Sequence, residues 1–138
     1  MNPAFSVYAA AYGGAALVLS LLDVLWLWLV VGRLYRAELG SLMRADVAML
    51  PAVAFYLIYV AGIVVFAVMP AASSGSLARA ACLGALLGFI AYCTYDLTNL
   101  ATLNGWPAKI ALLDITWGTF ITALAAMGGT WAVQLVRD

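Results

Sequence analysis

The chain has 138 residues, 67% hydrophobic and only 9% charged, with 6 Lys+Arg against 6 Asp+Glu. Soluble domains average about 25% charged residues, so this composition excludes a water-soluble monomer, and the zero net charge removes the electrostatic basis for nucleic-acid binding. Histidine is absent, which excludes His-ligated metals, Ser-His-Asp triads and imidazole proton shuttles.

Charge is missing in four long runs. Residues 1–32 carry only Asp23, residues 47–78 none, residues 80–108 only Asp96 and residues 110–136 only Asp114. A helix needs about 20 apolar residues to cross a bilayer core, and each run is long enough. A β-barrel would show short alternating segments instead. The sequence therefore predicts an all-α membrane protein, a four-transmembrane-helix bundle with short loops. It reads as a single domain over residues 1–138, with spans at about 8–31, 48–69, 77–101 and 110–134. The first run lacks a basic preceding segment and exceeds a signal peptide's apolar core, so it reads as a span and not as a cleavable signal.

The connections are taken in turn. Residues 33–46 hold five of the twelve charges and read as a wet loop or a short interfacial helix. Pro70 followed by Ser73, Ser74, Gly75 and Ser76 marks a second turn. Asn104-Gly105-Trp106-Pro107 marks a third, with Pro107 at a helix start and Trp106 suited to anchor the turn at headgroup level. Loops one and three carry Arg33, Arg36, Arg44 and Lys109, whereas the other side carries Arg79 and Arg137. The positive-inside rule then places loops one and three in the cytoplasm and both termini outside. Cys82 and Cys93 stand eleven residues apart on one predicted helix, about 16 Å by helix rise, too far for a disulfide.

Three of the six acidic residues fall inside predicted spans. An Asp at a helix centre costs ~2.5–3.5 kcal/mol on insertion scales, and such residues usually face protein or water and mark function. Asp23 stands about eight residues from the first helix's end, and Asp96 and Asp114 about five from the ends at loop three. By helix rise all three lie within ~8–12 Å of the same membrane face. Helical phase also points to convergence. Gly84, Gly88, Tyr92, Asp96 and Asn99 share one stripe of the third helix, and Asp114, Gly118, Ile121, Ala125 and Gly128 one stripe of the fourth. On the first helix the same pattern is read in Gly13, Ala16, Ser20 and Asp23. Tyr56 and Tyr59 on the second helix are placed to offer hydroxyls at that depth. The segments around Asp23-x-x-Trp26 and Asp114-x-x-Trp117 echo each other, with Trp28 and Trp131 as belt residues. The candidate ligand or proton site is thus Asp23, Trp26, Tyr56, Tyr59, Tyr92, Tyr95, Asp96, Thr98, Asn99, Asp114 and Trp117.

Several stretches resemble a bacterial integral-membrane family, domain of unknown function 2177. They are Asp23-x-x-Trp26, the run Tyr95-Asp96-Leu97-Thr98-Asn99-Leu100-Ala101-Thr102-Leu103, Trp106-Pro107 and Asp114-x-x-Trp117-Gly118. The likeness spans nearly the whole chain in the same order and implies a small multi-pass protein of the bacterial inner membrane. The family has no established activity, so the resemblance assigns no catalytic role. Its pattern often sets a basic residue before Trp-Pro, where this chain has Asn104-Gly105.

Three readings fit these residues. A site coupled to protons would bind or transport a small solute, its carboxyls sharing protons and its aromatic rings suited to an organic cation. A membrane enzyme would use the carboxyls as acid and base, or as oxygen ligands for Mg²⁺ with Arg33, Arg36 or Lys109 receiving a phosphate, on a lipid or isoprenoid. A structural or accessory subunit would use them to lock the bundle, with Arg33 or Arg36 as partners, or to hold another membrane protein. No nucleophile, His ligand or nucleotide loop is evident, so enzymatic activity is the less favoured, and the sequence implies no cofactor or metal. The expected partners are membrane lipids, a small-molecule or lipid ligand, and a second copy forming a homodimer. The solute reading predicts a cavity that joins the three aspartates and opens toward loops one and three.

Overall fold

The computed structural model describes residues 3–137. Four helices are long and apolar enough to cross a membrane: α1 (Ala4–Leu42), α2 (Met49–Ala72), α3 (Leu77–Thr102) and α4 (Ala108–Arg137). Among the described residues no strand is present.

The first span outruns its expected end. α1 is α-helical to Trp26, continues as a π-helical stretch over Leu27–Tyr35, and closes with a short α-turn and a 3₁₀ turn ending at Leu42. Of residues 33–46, read as a wet loop or a short interfacial helix, the part up to Leu42 is helical and continuous with the first span, and the connection is residues 43–48. The reason is visible at Tyr35, which is buried and donates its hydroxyl to Asp114 of α4. That bond holds the extra turns against the bundle, while Arg33, Arg36 and Glu38 point outward and keep their hydration.

α2 also runs past Pro70, where a helix end was expected. Proline lacks an N–H and its ring clashes with the carbonyl four residues earlier. Here the preceding turn, Val64–Val68, is π-helical, a widening that accommodates such a misfit. The chain then turns at Gly75, with φ +64°, and Ser76 caps α3 by accepting from the Arg79 N–H at 3.1 Å. The Asn104-Gly105 turn forms as expected, with Gly105 at φ +82°, the left-handed region that favours glycine. The Pro107 carbonyl then accepts from the Ile110 N–H at 3.0 Å.

α4 is the hub. Its buried residues include Gly118, Ile121, Thr122, Ala125, Ala126, Gly129 and Val133. α3 meets it along Gly84 and Gly88: a Cβ on Gly84 would stand 2.7 Å from the Thr122 carbonyl oxygen and 2.8 Å from Ala126 Cβ. The stripes read on α3 and α4 are thus their packing faces. The stripe read on α1 is displaced. Ala11, Ala15 and Leu19 are buried and Gly14 abuts Gly128, whereas Gly13 and Ser20 are exposed. A Cβ on Gly13 meets nothing within 4 Å. Adjacent glycines at 13 and 14 offer the same small size on two faces, so size does not choose between them.

Two sets of contacts fix the ends of the bundle. At one, Lys109 Nζ pairs with Glu38 Oε1 at 3.4 Å, joining the end of α1 to the start of α4. At the other, Gln134 Nε2 donates to the Gly75 carbonyl and Arg137 to the Ala72 carbonyl, both at 2.7 Å.

Candidate functional site

The aspartates lie at the end of the bundle shared by the first and third connections. Asp23 of α1 accepts a hydrogen bond from the Tyr56 hydroxyl of α2. Asp114 of α4 accepts from Tyr35 of α1. Both tyrosines therefore tie one span to another through a carboxylate. Asp96 of α3 differs. It is 0% exposed and neither carboxylate oxygen has a hydrogen-bond partner. The Trp106 indole N–H, also buried and unpartnered, lies beside it outside hydrogen-bonding geometry. Asp114 is the middle member, within electrostatic range of Asp96 on one side and Asp23 on the other. Arg33 and Arg36 do not pair with these carboxylates: among the described residues Lys109–Glu38 is the ion pair.

Aromatic rings surround the acids. Trp26 and Trp117, one turn beyond Asp23 and Asp114, stack face to face with centroids 4.4 Å apart and planes 7° from parallel. The two echoing Asp-x-x-Trp segments thus meet across antiparallel helices. Tyr59 shares a 2.8 Å hydrogen bond with Thr122 of α4 and stands edge-on to Tyr92 at 6.4 Å. Tyr95 stands edge-on to Trp106 at 5.7 Å, so Trp106 belongs to the cluster as well as to its turn. Asn99 is half-buried beside Tyr95. Thr98 is the member the structure sets apart. It is exposed, and its hydroxyl donates to the Tyr95 carbonyl one turn back at 2.9 Å, the usual way for a helical Thr to satisfy itself. Trp28 and Trp131 are exposed at 79% and 56%.

Sequence reasoning missed Tyr35. Its charged neighbours Arg33, Arg36 and Glu38 set it outside the predicted span, and no pattern in the sequence links it to Asp114. Two grooves open beside rings of the cluster, and neither is the expected cavity joining the three aspartates, since no aspartate lines either. One, of 430 Å³, lies between α2 and α3 and is lined by Phe55, Tyr59, Ala91, Tyr92 and Tyr95. The other, of 260 Å³, is lined by Trp26, Leu113, Thr116, Trp117 and Phe120 of α1 and α4. Among the described residues no three His, Cys, Asp or Glu side chains gather in a metal-ligating group.

No curated protein and no solved structure matches the chain. A family model does, described as a predicted membrane protein, over residues 8–131. That stretch takes in all four helices and every acid and ring of the cluster, and the chain therefore belongs to the predicted membrane protein family DUF2177.

Proposed function

We propose that this protein binds a small solute at the acidic–aromatic cluster and exchanges it for protons, as a multi-pass protein of the bacterial inner membrane. Loops one and three face the cytoplasm in this reading, by the excess of Lys and Arg there, and the cluster lies just inside that face. The observation that carries the reading is Asp96, buried in full with both oxygens uncommitted, beside Asp114. Structural polar groups are buried with their partners made, and contacts between membrane helices average only ~0.6 kcal/mol. An unpartnered carboxyl is poor adhesive, and it is the group with a proton to exchange.

The test is uptake of labelled monovalent organic cations and neutral solutes into proteoliposomes under an imposed pH gradient. Gradient-dependent uptake of at least one solute is expected, and Asp96→Asn is expected to reduce it by about tenfold or more, the scale of one lost charge interaction. Uptake that Asp96→Asn leaves unchanged removes the proposal.

A further inference from the structure

We infer that the groove between α2 and α3 takes a lipophilic monovalent organic cation, admitted sideways from the bilayer, with its apolar body against Phe55, Tyr59, Tyr92 and Tyr95. The inference rests on the proton-exchange reading and names the class of solute.

Size and lining come first. A 430 Å³ groove falls within the range of about 300–1,000 Å³ usual for small-molecule sites. Four of its five lining residues are aromatic. Aromatic faces attract cations through the ring quadrupole, most strongly where water is excluded. Phe55 stacks on Tyr59 with centroids at 5.2 Å, and Tyr59 meets Tyr92 edge-on, so the rings already form a wall.

Charge decides the sign. Tyr92 stands within electrostatic range of Asp23 and Asp114, and Tyr95 within range of Asp96 and Asp114. Two tyrosines of the groove wall thus lie near the acids, and although no carboxylate lines the groove, no Lys or Arg does either. An anion meets repulsion there, and a neutral apolar molecule gains nothing over lipid. A small inorganic cation needs a full set of converging oxygen ligands, whereas this wall offers phenol hydroxyls and no carboxylate.

Access follows from exposure. Phe55 and Tyr95 form the outer lip and are 45% and 55% exposed on the lipid-directed side of the bundle. The neighbouring residues of α2, including Leu57 and Ile58, are exposed as well. A ligand dissolved in the membrane reaches the groove without crossing the packed core between α3 and α4.

The full chain in lipid nanodiscs is tested by equilibrium dialysis against labelled tetraphenylphosphonium. Tetraphenylborate supplies the same shape with opposite charge, and tetramethylammonium the charge without the apolar body. Saturable binding of tetraphenylphosphonium is expected, weakened about tenfold or more by Phe55→Leu with Tyr95→Leu, the scale of two lost cation–π contacts. These outer-lip changes keep apolar volume, and an unchanged thermal midpoint verifies the fold. Tetramethylammonium in hundredfold excess should not compete, and tetraphenylborate should only partition. Saturable tetraphenylborate binding, or tetraphenylphosphonium binding indifferent to the double variant, overturns the assignment. Proton release is read in parallel. Saturable cation binding without release keeps the groove assignment and removes the exchange reading. Proton-coupled uptake of another solute by a protein that binds no tetraphenylphosphonium does the reverse.

Discussion

Tyr35 and Tyr56 each donate a hydroxyl to an aspartate on another span, and Asp96 receives nothing. The two tyrosine bonds join spans, and Asp96 adds no such bond. Hydrogen bonds to charged acceptors contribute about 1.5–3 kcal/mol in soluble proteins, but polar contacts between membrane helices contribute less. Tyr56→Phe and Tyr35→Phe are each expected to lower stability by about 1 kcal/mol in reversible detergent unfolding. Asp96→Asn should change it by under about 0.5 kcal/mol, since no bond is broken. A loss from Asp96→Asn as large as from the tyrosine variants would make Asp96 a structural residue. The acids were legible from sequence because an Asp in an apolar run is conspicuous whatever the fold. Their phenol partners were legible only where they sat inside a predicted span, as Tyr56 did.

Among the helices, α3 and α4 make the tightest seam and α2 the loosest. Where backbones touch, a side chain has nowhere to go, and overpacking costs typically 1–3 kcal/mol. Gly84→Leu should therefore destabilise by at least about 2 kcal/mol, while Gly13→Leu, facing open space, should stay within about 0.5 kcal/mol. Equal losses at both glycines would contradict the packing described. α2 is buried along Ile63, Val64, Ala67, Val68, Ala71 and Ala72, but its earlier half is largely exposed and bonded through Tyr56, Tyr59 and the Leu57 carbonyl, which accepts from Tyr12. The α3 stripe was readable because small and polar residues recur there at i, i+4 spacing. The α1 face was not, because Gly13 and Gly14 offer the same size on two faces. The π-helical stretches also shift the phase on which any such reading depends.

At the scale of the whole molecule, four helices and their order followed from where charge is absent, since hydrocarbon leaves a backbone few other choices. Which phenol each acid accepts from did not follow, because side-chain contacts depend on helix rotation that hydropathy does not encode. The Lys109–Glu38 pair puts the first and third connections on one side, which an even split of four crossings requires. With Cys82→Ala and Cys93→Ala as background, a membrane-impermeant maleimide applied to intact spheroplasts should label Ser74→Cys and spare Ala45→Cys. The opposite pattern would invert the orientation and move the cluster to the outer face.

The facing indoles of Trp26 and Trp117 act as a gauge between two helices that run in opposite directions. Each indole follows its own aspartate by three residues, so sliding one helix along the other would unstack the rings and change the separation of Asp23 and Asp114 together. The spacing of those two carboxyls is locked to the register of the helices. Any relative motion of α1 and α4 that keeps this stack intact is a tilt or a side-chain rotation and not a slide.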